Sequence, residues 1–420
     1  MTGGRSASSG ASGPLAGIRV LDLTRVLAGP FATLILADLG AEVIKIEDPH
    51  GGDQTRSIPP FYEGGESHYF IAINRGKKSV AVDLKTASGR ALVLALASKS
   101  DVVVENFRPG VADRLGIGYE ALVASNPNIV MCSISGFGST GPMRNSPSFD
   151  LVTQALSGVM SITGDADGPP TKMGLPMGDL GGGLWGAISV LAALNRRHAL
   201  PGPQHIDLSL LEGLMGLLGY IAQLTLMTGD SPGRVGSGHH SVVPYGRYEV
   251  ADGYLVLALH VGDFWRRFCK AADAEELMSD PRFRSTADRW ANREELQRIV
   301  KSIMRTRTRE DWLTALAAGD VPHAPILDVA EALTQQQIVD RRLIATMDHP
   351  VAGEVEVLRS PIRFAGDPVP DNVSPAPMLG EHTRWVLKEL LHMSDEDINS
   401  LVTQRVVIDG GTDTGAEEGN

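Results

Sequence analysis

Residues 18–135 alternate short β-branched or aliphatic runs with stretches whose apolar positions have helical spacing. The runs are IRVLDL (18–23), AEVIKIE (41–47), KSVAVDL (78–84), DVVVENF (101–107) and NIVMCSIS (128–135). FATLILADLG and GRALVLALASKS read as helices between them. Several runs are apolar at consecutive positions, which a strand needs only when both its faces are covered. A parallel sheet with helices on both faces meets that need, so this half predicts a doubly wound, Rossmann-like α/β domain.

The middle of the chain changes character. RYEVADGYLVLAL (247–259) reads as a hairpin turning at Asp252-Gly253, while NREELQRIVKSIMRTRT and REDWLTALAAG read as amphipathic helices, giving a smaller α+β domain. GEVEVLRSPIRF then supplies a hairpin-like pair, and HTRWVLKELLHM a helix that returns to the first domain. The expected division is a tail over 1–13, a large domain over 14–224, a small one over 225–335, a return to the large domain over 336–408 and a second tail over 409–420. SLLEGLMGLLGYIAQLTLM (209–227) is long enough to span a bilayer. Glu212, Gln223 and the spacing of its small residues fit a helix buried in protein or at a subunit interface better.

Composition removes several classes of function. Only two cysteines occur, Cys132 and Cys269, so a disulfide framework or a Cys-based zinc site is not expected, and cytoplasmic residence is the default. The net charge of −12 argues against general affinity for nucleic acid or anionic membranes, so a polyanionic ligand needs a local basic patch. No GxxxxGK[ST] or GxSxG motif is present, and GDLGGG follows a Pro-containing loop rather than a clear strand. The histidines lack metal-ligand spacing: His239 and His240 are adjacent, while His205, His260 and His323 stand alone.

LPMGDLGGGLWGA (175–187) sets Asp179 among glycines ahead of an apolar helical segment. An Asp at that place can cap the helix by accepting backbone N–H bonds. It can equally be a nucleophile: glycines would let a large ligand approach, and an ionised carboxylate attacks an activated acyl group to give a mixed anhydride. Both readings stand on the residues alone.

GPLAGIRVLDLTRVLAGPFATLILADLGAEVIKIE (13–47), NRGKKSVAVDLK (74–85), DVVVENFRPGVADRLGIGYEAL (101–122), SGFGSTGPM (135–143) and LPMGDLGGG (175–183) together resemble the class III coenzyme A transferases, the CaiB/BaiF type. The similarity spans roughly residues 14–390 and continues through GPQHIDLSLLEG, HHSVVPYGRYEVADGYLVLAL, VPHAPI and LGEHTRWVL. It is nearest to the dicarboxylate, succinyl-CoA:glutarate-like branch. By this resemblance Asp179 matches the aspartate that carries first the acyl group and then the coenzyme. Leu27 and Ala28, then Val82, Asp83, Leu84 and Lys85, then Asn106, Phe107 and Arg108, and finally Arg114 match coenzyme-binding positions. Lys85, Arg108 and Arg114 would supply the basic patch, although each is also an ordinary surface residue type. Asp48 departs from the pattern, standing where some relatives carry a basic residue against the adenine.

The resemblance implies coenzyme A and its thioesters as substrates rather than bound cofactors, no metal, small carboxylic acids as partners, and a homodimer of two chains threaded like linked rings. A dicarboxylate acceptor would need cationic or hydrogen-bonding partners for its second carboxylate, and Arg234, Arg247, His239 and His240 are candidates. Two rivals remain. α-Methylacyl-CoA racemases resemble the same motifs but carry a His where this chain has Phe149, ahead of Asp150, and an acidic residue near the place of Val261. A non-catalytic acyl-CoA-binding protein is the other.

Overall fold

The structure, a computed structural model, describes residues 13–369 and 372–410. The expected tails 1–13 and 409–420 lie outside the described residues apart from Gly13, Asp409 and Gly410. Twelve strands are present among them: β1 (Arg19–Asp22), β2 (Glu42–Glu47), β3 (Lys78–Val82), β4 (Val102–Glu105), β5 (Val130–Ser135), β6 (Gln204–Ser209), β7 (Tyr245–Val250), β8 (Gly253–Ala258), β9 (His323–Pro325), β10 (Ile344–His349), β11 (Gly353–Leu358) and β12 (Val407–Ile408).

The described residues form two compact units. The larger runs to Ser157, resumes over Gly174–Leu218 and again from Gln337. Its sheet has the order β12-β3-β2-β1-β4-β5-β6. β1 to β6 are mutually parallel, and β12 joins the edge antiparallel to β3. Successive residues of a strand point to opposite faces, and both faces are buried. Val20, Val43, Val104, Val130 and Ile134 pack with Ala32 and Leu36 of the Ala28–Asp38 helix and Val190 of the Met177–Arg196 helix. Leu21, Ile44, Val80, Val103 and Met131 pack on the other side with Val93 and Leu96 and with Val386, Leu387 and Ile398 from the end of the chain. The consecutive apolar positions of these strands therefore have the double covering their sequence asks for.

The smaller unit comprises Gly158–Met173 and Gly219–Gln336. It begins earlier than the expected residue 225 and takes in a segment that the sequence places in the large domain. The reason is local: Arg234 donates to the carbonyls of Asp165 (3.2 Å) and Gly168 (2.5 Å), tying that segment to its own unit. β7, β8 and β9 form its sheet, with the expected hairpin at Asp252-Gly253. Trp265, Phe268, Leu296, Val300 and Trp312 fill the core beneath it.

Two expectations are corrected. The 209–227 segment is not one helix, because Gly219, at φ 53°, separates Leu210–Leu217 from Tyr220–Thr228, and the second piece buries no residue. The later hairpin pairs β10 with β11, so GEVEVL finds its partner upstream and RSPIRF is not a strand. Pro361, which has no N–H, stands where a returning strand would have needed one.

Candidate active site

Asp179 does not sit in a loop. Its helix begins at Met177, so the acid lies in the first turn and Gly181, Gly182 and Gly183 lie inside the helix. A Cβ at Gly183 would stand 2.8 Å from the Ala28 carbonyl oxygen, and one at Gly186 would stand 2.9 Å from Ile134 Cδ1. The glycines thus allow close packing: Gly181 and Gly182 face Leu217 and Leu210, Gly183 the 28–38 helix and Gly186 that helix and β5. The capping reading is corrected. Asp150 Oδ1 accepts the N–H of Gly178 at 2.7 Å and that of Asp179 at 3.4 Å, and Gln154 Nε2 holds its other oxygen at 2.7 Å. Asp150 is therefore the cap, and Asp179 is left without that duty.

Burial, and then the charge of Asp150, raise the Asp179 pKa to about 7. A carboxylate so placed is poorly solvated when ionised and correspondingly basic. Tyr69 belongs to the same neighbourhood: burial first, then the charges of Asp179, Asp53 and Asp150, push its phenol up to about 12.

Asp179 lines a cavity of about 410 Å³. The turn after β1 (Arg25, Val26, Leu27, Ala28) and the loop after β4 (Asn106, Phe107, Arg108) form its walls, with Ser135, Gly136 and Phe149. The strand order reverses between β1 and β4, and the crevice outside the carboxyl ends of strands at such a reversal is where open α/β sheets bind ligands.

The structure brings Leu27, Ala28, Asn106, Phe107 and Arg108 together with Asp179 in this cavity. The Asn106 side chain is engaged with protein, accepting the Arg25 N–H at 2.8 Å and donating to the Arg25 carbonyl at 2.7 Å. Val82, only 1% exposed, is a core residue at the end of β3. Asp83, Leu84 and Lys85 follow it, with Asp83 Oδ1 accepting the Lys85 N–H at 2.8 Å, and they do not line the cavity. Arg114 ends a short helix on the connection after β4 and does not line it either. Burial works against ionisation of Asp48, but its bonds from His50 and the charges of Lys85 and Arg25 hold its pKa down. Arg25, Lys85 and Arg108 follow the carboxyl ends of β1, β3 and β4, where Asp22, Glu47, Asp48, Asp83 and Glu105 also stand.

Of the residues considered for a second carboxylate, all in the smaller unit, Arg234 is bonded to backbone carbonyls and His240 Nε2 lies 3.0 Å from the Gly233 carbonyl. Arg247 stands 3.8 Å from Asp165 and over the Tyr254 ring. His239 stacks on Tyr220, with Tyr245 and His260 edge-on to it. Burial, and then His260 and His240, hold its pKa below that of a free imidazole. Sequence reasoning missed Asp150 and Tyr69. No spacing rule connects Asp150 to a helix that starts 27 residues later.

A doubly wound sheet with a buried, basic carboxylate in the crevice at its strand reversal has the form of an α/β enzyme's ligand site. The model of CoA-transferase family III matches residues 15–383, and the chain belongs to that family, whose members transfer coenzyme A. The succinyl-CoA:glutarate CoA-transferase of Mus musculus is 38% identical over 94% of this chain and 90% of its own. The acetyl-CoA:oxalate CoA-transferase of Acetobacter aceti is 38% identical over 90% of this chain and 96% of its own. A CAIB/BAIF family protein from Brucella suis has the same fold, with a TM-score of 0.78, 37% identity and coverage of 90% of this chain and 99% of that one.

Proposed function

We propose that the protein moves coenzyme A from a donor thioester such as succinyl-CoA to a short dicarboxylic acid, with Asp179 as the nucleophile. The observation that carries this reading is a carboxylate with a pKa near 7, relieved of capping by Asp150, in the switch-point cavity. Asp179 attacks the thioester carbonyl, forming an aspartyl–acyl anhydride and expelling the CoA thiolate. The thiolate attacks the aspartyl carbonyl, releasing the donor acid and leaving an aspartyl–CoA thioester. The acceptor carboxylate attacks that thioester, giving a second anhydride and free thiolate. The thiolate then takes the new acyl group and restores Asp179. The 28–38 helix has no side-chain cap at Leu27, so its first N–H groups are donors available to a carbonyl oxygen that gains charge. Relatives named for glutarate and oxalate support a diacid acceptor.

A racemase needs a proton carrier on each face of the α-carbon. Phe149, which lines the cavity, carries no exchangeable proton there, so no α-hydrogen exchange of a 2-methylacyl-CoA in deuterated water is expected. Two buried free thiols support residence in the reducing cytoplasm, and the net charge of −12 supports leaving nucleic acid and anionic membranes out of its partners. Assembly as an interlocked homodimer is part of the same reading. It is supported by the Tyr220–Thr228 helix, which buries nothing within one chain while Leu226 and Met227 are 80% and 77% exposed.

The experiment is trapping. Hydroxylamine added with an acyl-CoA should convert Asp179 to a hydroxamate, found by peptide mass spectrometry, and Asp179→Ala should neither form the adduct nor transfer CoA. Full activity of Asp179→Ala overturns the mechanism. A screen of CoA donors against acids of equal length tests the diacid, and a preference for long-chain monocarboxylates refutes that part alone.

A further inference from the structure

Val26, in the turn between β1 and the 28–38 helix, has φ 68°. A β-branched residue in this left-handed region crowds its own backbone and persists only where the surroundings over-determine it. Here they do. The Thr24 N–H donates to Asp22 Oδ1 at 2.9 Å, and the Thr24 carbonyl accepts from Lys45 Nζ at 2.8 Å. Asn106 holds both the N–H and the carbonyl of Arg25. The Val26 N–H donates to the Asp53 carboxylate at 3.2 Å. Each of these backbone groups is satisfied by a side chain rather than by a strand or helix.

Asp53 is the side chain among these that holds Val26 itself. Its Oδ2 lies 2.9 Å from Lys45 Nζ, and both side chains are at most 1% exposed. Its Oδ1 accepts from the N–H and hydroxyl of Thr55, at 2.9 and 2.8 Å, heading the 3-10 turn Gln54–Ser57. Its own N–H is fixed by Glu47 Oε2 at 3.0 Å. Gln54 and the Arg25–Ala28 turn both line the cavity that holds Asp179, so one carboxylate joins two of its walls. A buried ion pair is costly to desolvate and is weak support for stability by itself. Its geometric result is what distinguishes this one.

We propose that Asp53, neutralised by Lys45, is a positioning residue for CoA transfer: it holds Val26 in the left-handed conformation and so fixes the cavity wall from which Leu27 and Ala28 present their backbone. The proposal rests on Asp179 being the nucleophile. A turn that relaxed to negative φ would move those N–H donors off the reacting carbonyl, a loss felt in the chemical step more than in binding of the coenzyme.

The test compares the full-length protein with Asp53→Asn, Val26→Gly and the double variant, each checked for fold by circular dichroism and gel filtration. The amide offers one acceptor oxygen for which Lys45 and Val26 compete. Asp53→Asn should therefore lower kcat about tenfold while KM for the acyl-CoA moves less than about threefold. Adding Val26→Gly should restore most of kcat, because glycine holds positive φ without a clamp. Val26→Gly alone should raise the thermal midpoint by releasing strain, a measurement that stands even if Asp53→Asn does not fold. Unchanged kcat in Asp53→Asn, absence of rescue, or a lowered midpoint in Val26→Gly overturns the proposal. Asp179→Ala is assayed alongside. If it is active, the nucleophile reading has failed; if it is inactive while Asp53→Asn is fully active, only the positioning role has failed.

Discussion

As the proposed nucleophile, Asp179 meets two opposing demands: attack requires the ionised form, yet burial and Asp150 favour its protonated form at neutral pH. The rate of transfer should therefore rise with pH through about 7, the acid limb reporting this group. Asp150→Asn keeps an oxygen for the Gly178 N–H but removes the neighbouring charge, so the limb should move to lower pH in a pH–rate profile. The sign for stability is opposite to that for activity. Because the folded-state pKa lies above an aspartate's ordinary 3.8, the folded protein binds more protons than the unfolded chain between 3.8 and about 7, and stability falls as pH rises across that window. Asp179→Asn should accordingly melt a few degrees higher at pH 8 than the unaltered protein, with the difference vanishing near pH 4 and transfer absent throughout. Asp179 was visible in the sequence as a lone acid among glycines. Its raised pKa was not, because the burial that chiefly raises it and the Asp150 charge that adds to it are both supplied only by the fold.

The Met177–Arg196 helix shows where local preference and tertiary packing part. Three consecutive glycines disfavour a helix by about 1 kcal/mol each relative to alanine, so GDLGGG reads as a loop. Close approach to the 28–38 helix overrides that preference. Gly183→Ala puts a methyl 2.8 Å from the Ala28 carbonyl oxygen, and backbone cannot step aside as a side-chain tip can. An overpacking cost of about 1–3 kcal/mol is expected, seen as a lower thermal midpoint. A fall in kcat should accompany it, since Asp179 is one turn away on the same helix. The strands were legible for the converse reason: consecutive Val and Ile in β1 to β5 serve both propensity and double-sided burial. The 209–227 segment was misread because apolar spacing continues across Gly219 while the backbone does not.

At the scale of the molecule, the proposed homodimer predicts that Leu226→Asp with Met227→Lys shifts gel-filtration mass toward that of one chain, whereas the unaltered protein elutes as two. The two-unit plan was legible in the change of pattern near residue 225. The capture of Gly158–Met173 by the smaller unit was not, since it depends on where the Arg234 guanidinium reaches. The seating of β12 on β3 also bears on biosynthesis. Val407 pairs with Val82, about 325 residues earlier in the chain. At roughly 5–20 residues per second, a ribosome takes about 15–65 s to make that interval, and meanwhile the β3 edge stands open beside other nascent chains on the same message. Translation that stalls short of Thr383 would release a chain whose sheet still lacks its guard strand, a substrate for chaperones and proteases rather than for assembly.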